Sequence, residues 1–242
     1  MDFRFDGRKD RPGAYNKPVG PRVEVAPESP ATRLLVDQSF RRQDETPDTR
    51  FYGQPRFVTH IDDGAIAAVT QVYRETLPGG GSILDLMSSW ISHLPPEVEY
   101  GRVVGLGMNG AELAKNSRLE SFVVHDLNRN PALPFASGEF DAATLCVSID
   151  YLTQPRLVLQ DAARVVKAGG PIVITFSDRC FPTKAVFAWL STNDTGRKRL
   201  VQDWLAETNR WEQIQVLDRG RRRPLGDPLY AVIATSRGPL PG

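Results

Sequence analysis

The chain has 242 residues, 40% hydrophobic and 24% charged, with 30 basic and 29 acidic side chains and a formal net charge of +1. This size and mix suit one α/β domain with an N-terminal extension, whose core needs neither disulfides nor metals. The near-neutral balance excludes a general attraction to nucleic acid or membrane, no apolar run is long enough to span a bilayer, and two cysteines, Cys146 and Cys180, are too few for a disulfide framework.

Residues 1–50 are rich in Pro, Arg and Asp and lack apolar periodicity, so an extended arm is expected there, with Leu34, Leu35, Val36 and Phe40 able to pin it locally. Residues 51–242 form the expected domain. The first fifteen residues lack the apolar stretch of a secretory signal, so a cytoplasmic protein with reduced thiols is expected.

A helix is expected over 61–76, with Ile66, Val69, Val72 and Tyr73 on one face, Asp62 or Asp63 as its cap, and the LPGGG run at 77–81 as its stop. Short apolar strands then alternate with helices. The strands are expected at 82–86, 102–106, 121–125, 140–147 and 171–176. The helices are expected through Ala111, Glu112 and Leu113, then over 154–167, 184–190 and 197–208. Two late strands, 211–217 and 229–234, flank a polar connection at 218–228 that suits a hairpin. Continuous apolar strands between helices predict a Rossmann-like three-layer α/β sandwich, with a mostly parallel seven-stranded sheet and one antiparallel edge strand. Ligands bind such sheets at the strands' carboxyl ends, where the strand order changes.

Three pieces of the chain carry a resemblance. Leu133-Pro134-Phe135 before Phe140-Asp141, Val165-Val166-Lys167 before Gly169-Gly170, and Ile83-Leu84-Asp85 stand at spacings that resemble class I S-adenosylmethionine-dependent methyltransferases, in particular the type 11 branch, over roughly residues 60–235. The resemblance implies S-adenosylmethionine as cofactor and a small molecule as methyl acceptor, with no nucleic-acid or membrane partner. It places the cofactor along Asp85, Met87 and Ser88 after the first strand, Gly105, Gly107, Met108 and Asn109 after the second, Asp126 and Leu127 after the third, and Cys146 and Ser148 at the fourth. It also implies that Asp150 and Tyr151 face the methyl-transfer region as catalytic candidates, with Asp150 as a base. Tyr52, Arg56 and His60 before the first helix and Arg179 after the fifth strand become substrate candidates. An aromatic–Arg–His set suits an anionic or aromatic substrate.

The chain departs from the family twice. Met87, Ser89 and Ile91 stand where the family places spaced glycines, and Gly107 stands where it places the acid that holds the ribose hydroxyls. These departures keep open a second reading, a non-catalytic or repurposed protein of the same fold. A third reading comes from Gly105-Leu106-Gly107-Met108-Asn109-Gly110, which matches G-x-G-x-x-G between a strand and a helix, with Asp126 as the following acid. That is the fingerprint of a dinucleotide-binding oxidoreductase.

Several residues also carry ordinary structural roles. Asp85 and Asp150 suit helix capping, Asp126 and Asn128 a turn, and Cys146 a small buried hydrophobe. Arg219 with Arg221, Arg222 and Arg223 reads as a solvated loop, and His60, His93 and His125 lack ligand spacing, so no metal site is expected.

Overall fold

Strands covered by helices on both faces are read as unbroken apolar runs, and the sheet is built from such segments. The computed structural model describes residues 38–221 and 226–239; Leu34, Leu35 and Val36 of the arm and Arg222 and Arg223 of the basic cluster lie outside the described residues. Strands β1 (Ser82–Leu86), β2 (Arg102–Gly107), β3 (Ser121–Val124), β4 (Ala142–Cys146) and β5 (Pro171–Phe176) pair in parallel. Strand β6 (Trp211–Arg221) pairs antiparallel with β7 (Pro228–Ser236), which also runs antiparallel to β5. The sheet is seven-stranded in the order β3-β2-β1-β4-β5-β7-β6, so the reversed strand sits between β5 and the edge.

Alternation along the strands divides the core between the two faces. Leu84, Leu86, Val104, Leu145 and Ile174 point to one side with α4 (Pro155–Val165) and α6 (Asp194–Glu207), which contribute Val158, Leu159, Trp204 and Leu205. Ile83, Val103, Ala142 and Val173 point to the other, against Val69, Val72 and Tyr73 of α2 (Asp63–Thr76). Asp62 caps α2, its side chain accepting from the Ala65 N–H at 2.8 Å. Pro155 opens α4 at a position where its missing N–H costs nothing, and the cap residue there is Gln154, so Asp150 has no capping role. Further short helices are α1 (Asp48–Phe51), α3 (Gly110–Leu113) and α5 (Phe187–Leu190), with a 3-10 turn at Ile149–Tyr151. Among the described residues, no helix is long and apolar enough to cross a membrane.

The folded domain begins before residue 51. Phe40 packs against Trp204 with ring centroids 5.9 Å apart, Arg42 bridges to Val186, and the Asp44 N–H donates to Thr183 O at 2.8 Å. Beneath this segment lies Lys184, with no exposed surface, whose ammonium donates to Thr46 O at 2.7 Å and sits 3.2 Å from both Asp44 and Asp48. This anchoring also shortens the helix expected from 184. Lys184 and Ala185 turn back to Phe181 O, and the helix starts only at Phe187. The fourth strand begins at Ala142 rather than 140, because Phe140 bridges to Val166 on the chain leaving α4.

Candidate functional site

In this strand order the chain turns to opposite sides after β1 and before β4, and a crevice opens where it does. A cavity of about 250 Å³ lies there. Its floor is the carboxyl ends of β1, β2, β3 and β4, and residues 48–61 and 179–181 cover it. Met87 and Trp90 line this space and leave it open.

The loop after β1 is organised by Asp85, which is 2% exposed. Asp85 pairs with Thr144 across β1 and β4, and the Thr144 hydroxyl donates to its Oδ1 at 2.8 Å. The Ser88 and Ser92 hydroxyls donate to its Oδ2 at 2.6 and 2.7 Å. Burial outweighs these three bonds and raises the Asp85 pKa. Its carboxylate therefore serves the loop itself. Met87 adopts φ 53°, the left-handed conformation that glycine favours, so the loop keeps a glycine-type turn without the glycine.

Gly107 belongs to the same packing. A Cβ there would lie 2.2 Å from Ser88 O, and the Ser88 N–H donates to Leu106 O at 2.8 Å. The loop after β1 thus lies directly on the end of β2, where an acid has no room. The other glycines of the G-x-G-x-x-G run are also explained by packing. A Cβ on Gly105 would meet Leu119 at 2.5 Å, and one on Gly110 would meet Val124 at 3.3 Å. Gly105 does not line the cavity. The run follows β2 rather than the first strand of the crevice, and although Gly107, Met108 and Asn109 line the cavity, the space beside Gly107 is taken by Ser88 O.

Asn109, 8% exposed, caps α3 by accepting from the Ala111 and Glu112 N–H groups, while its amide donates to Tyr52 O at 2.8 Å. Glu112 accepts from the Ser89 hydroxyl at 2.6 Å and the Arg56 N–H at 2.7 Å. Two residues at the start of α3 therefore hold the covering segment against the β1 loop.

After β3, Asp126 forms a turn in which its Oδ1 accepts from the Asn128 and Arg129 N–H groups at 3.0 and 3.2 Å. Both bonds fall on Oδ1, and Asp126 lines the cavity with Leu127 and Met108. Asn128 is a hub. Its amide donates to Asp48 Oδ2 at 2.8 Å and to Tyr151 O at 2.9 Å, and its Oδ1 accepts from the Thr153 N–H at 2.8 Å. Asp48 also receives Arg42 at 2.8 Å. Burial opposes its ionisation, but the bonds from Arg42 and Asn128 outweigh that and hold its pKa below the usual carboxylate value.

At the end of β4, Val147 takes φ 48°, an uncommon conformation for a β-branched residue. Cys146 and Ser148 line the cavity on either side of it. Burial pushes the Cys146 thiol up to about 12, so it stays protonated and acts as a small hydrophobe. Ser148 is 8% exposed, and its buried hydroxyl has no hydrogen-bond partner. Asp150 differs from its expected place. It is 2% exposed and absent from the cavity wall, and burial pushes its pKa up to about 8. A carboxyl walled off in this way has no access to a substrate. Tyr151 does line the cavity, and its hydroxyl accepts from the Phe181 N–H at 2.9 Å.

The opposite wall holds all four substrate candidates, Tyr52, Arg56, His60 and Arg179. Phe181 joins them, in ring contact with Tyr151 at 5.9 Å, His60 at 5.1 Å and Phe51 at 5.2 Å. Partial burial, followed by the Arg56 charge, lowers the His60 pKa, so this imidazole is neutral at pH 7. The Tyr52 hydroxyl is buried without a partner, and burial raises its pKa. Sequence reasoning missed Asp48, Glu112 and Lys184. Each takes part in a contact between residues 56 or more positions apart, which no local motif marks.

A family model described as a methyltransferase domain matches residues 87–174. The demethylmenaquinone methyltransferase of Renibacterium salmoninarum is 27% identical over 156 residues, covering 63% of this chain and 62% of that protein, so the chain spans less than two thirds of this curated relative's length. Among solved structures, the cyclase SpnF has a TM-score of 0.55 at 15% identity, covering 78% of this chain and 91% of its own. A methyltransferase from Archaeoglobus fulgidus also has a TM-score of 0.55, at 12% identity, covering 71% and 93%. At these identities the structures show a shared fold, and a cyclase stands beside methyltransferases within it.

Proposed function

We propose, from the premise that residues 87–174 belong to the methyltransferase-domain family, that this protein transfers a methyl group from S-adenosylmethionine to a small molecule. The observation that carries this reading is the cavity at the β1/β4 crevice, into whose wall the Ser148 and Tyr52 hydroxyls are built without partners. Buried hydroxyls are normally satisfied, so two on one cavity wall point to a ligand that completes them. The strand ends fit the cofactor. Asp126 Oδ2, beside Leu127 and Met108, suits the hydroxyl or amino groups of an adenosine, which the Gly107 position no longer serves.

Bound there, S-adenosylmethionine supplies a methyl group activated by a sulfonium. The protein's part is to position and to exclude water. Residues 48–61, held by Asn109, Glu112 and Asp48, form the roof that keeps solvent out. The Ser148 hydroxyl suits orienting the acceptor, and His60, which lines the same cavity and whose neutral form burial favours, suits taking its proton.

Titration calorimetry with S-adenosylhomocysteine tests this reading. Wild-type protein should bind it. Asp126→Asn keeps the Oδ1 turn but replaces Oδ2 with a donor, and should weaken binding by roughly ten- to a hundredfold, the loss of one hydrogen bond to a charged group. No binding of S-adenosylmethionine or S-adenosylhomocysteine at millimolar concentration would overturn the proposal.

The packing of Ser88 O on Gly107 favours a second reading, a fold that keeps the cavity for another use. Measured methyl transfer, lost in the Asp126 variant, would remove it.

A further inference from the structure

The cavity is electrically divided. Its lining carboxylates other than Asp48 stand on the β1–β3 half, as Asp85, Glu112 and Asp126. On the other half the lining cations are Arg56 and Arg179; the Arg56 backbone N–H is met by Glu112, the Arg179 guanidinium lies 4.0 Å from Asp227, and Asp48 is matched by Arg42 and by Lys184. That half is also its aromatic wall, made by Tyr52, Tyr151 and Phe181, with Tyr52 and Tyr151 rings 6.5 Å apart.

Arg56 is set up for an anion. Its guanidinium lies 4.5 Å from the centre of the Phe51 ring and 5.7 Å from that of Phe181. One N–H donates to Phe51 O at 2.8 Å. A guanidinium has five N–H donors in a rigid fork, so the stacking fixes the group while most of its edge stays available. Arg179 is 63% exposed at the side chain, and its approach to Asp227 is only 4.0 Å, the limit of an ion pair. Two guanidiniums beside stacked rings match a planar ring that bears a carboxylate.

We infer that the acceptor bound on the β5 side of this cavity is an aromatic acid, its ring against Tyr52, Tyr151 and Phe181 and its carboxylate on Arg56 and Arg179. The inference rests on the methyltransferase reading only for the word acceptor; the binding it describes is independent of transfer. The charge on the ligand replaces the solvent around Arg179 and the open donors of Arg56. The ring replaces solvent along the aromatic wall.

Ligand-observed NMR titration tests it with three probes. 4-Hydroxybenzoate carries ring and charge, 4-hydroxybenzamide the ring alone, and cyclohexanecarboxylate the charge alone. Each is titrated with and without S-adenosylhomocysteine. 4-Hydroxybenzoate should bind at least about tenfold more tightly than either of the others, the scale of one charge-assisted hydrogen bond. Arg179→Gln and Arg56→Lys should each erase most of its advantage over the amide while leaving S-adenosylhomocysteine affinity unchanged. Arg179 is exposed, so its variant should fold normally even if the Arg56 variant does not. Equal affinity for benzoate and benzamide, or no benzoate binding in protein that does bind S-adenosylhomocysteine, would overturn the inference. Benzoate binding in protein that binds no S-adenosylhomocysteine would support it while sinking the methyltransferase reading.

Discussion

Gly107 occupies the place where the resemblance leads one to expect an acid, and the obvious experiment is to put one there. Gly107→Asp should fail to improve the site, for a steric reason. The new Cβ would start 2.2 Å from Ser88 O, with Ser88 C at 3.2 Å and Leu113 Cδ2 at 3.3 Å behind it. Backbone oxygen cannot swing aside as a side-chain end can, so relief requires the β1 loop to move by about 1 Å toward ordinary van der Waals contact. That motion pulls the Ser88 N–H from Leu106 O and disturbs the 2.6 Å bond from Ser88 to Asp85. Overpacking of this kind costs about 1–3 kcal/mol. A lost hydrogen bond adds about 0.5–1.5 kcal/mol, for a total of roughly 2–4 kcal/mol. In a domain of this size that lowers Tm by roughly 5–15 °C. Gly107→Ala isolates the steric part, and urea denaturation of both variants measures it. Reduced affinity for S-adenosylhomocysteine should accompany the loss in each. An Asp variant with wild-type stability and tighter S-adenosylhomocysteine binding would refute the packing argument.

Lys184→Met should cost about 1–3 kcal/mol, because Thr46 O loses its donor and buried Asp48 keeps Arg42 as its remaining cation, and thermal melts should show it together with easier proteolysis near residue 44. Asp150 has its pKa raised from 3.8 to about 8, so the folded state holds its proton where the unfolded state releases it. The sign follows: stability from this group is greatest at or below the unfolded value and declines as pH rises from about 4 to about 8. Asp150→Asn should flatten that part of the Tm-against-pH curve and, since Asp150 is off the cavity wall, leave kcat/KM within a few-fold; a hundredfold loss would restore it as a base. Asn109→Ala should remove both the α3 cap and the bond to Tyr52 O, cost about 1 kcal/mol, and raise KM for the acceptor more than it lowers kcat, which steady-state kinetics would separate.

The sheet was legible because its strands are apolar runs of the right length, from Ile83 in β1 to Ile174 in β5, set between helices with ordinary start and stop signals. The rim of the cavity followed from the strand order alone. Individual roles did not. Asp150 follows a strand as a functional acid would, but the turn after Ser148 directs it inward, toward Val186, whose N–H donates to its carbonyl. The 105–110 glycines read as a phosphate-binding fingerprint, yet one is filled by Leu119 and another by the backbone of Ser88. The composition of residues 1–50 predicts an extended arm, and composition is blind to Phe40 meeting Trp204 or Lys184 meeting Asp44 across 140 positions.

Three residues around the cavity hold a glycine-type backbone without being glycine, and the first of them, Met87, stands at one of the missing glycines. Met87, His93 and Val147, at φ 53°, 51° and 48°, all line the cavity. Such conformations cost about 1–3 kcal/mol each outside glycine and persist only where the surroundings over-determine them. Asp85 does this for the first loop. Its two oxygens collect hydroxyls from Ser88, Ser92 and Thr144, and the Ser92 hydroxyl is in turn met by the Asn116 amide at 2.7 Å. A glycine turn is free to take its shape, whereas this turn is held in it from outside. The loop takes a left-handed turn at Met87 and lies directly on the end of β2, which leaves no empty space beside Gly107. Under the proposed function, cofactor affinity should rest on the β3 end, at Asp126, and acceptor choice on the roof and the β5 side, where Arg56, Arg179 and Phe181 stand.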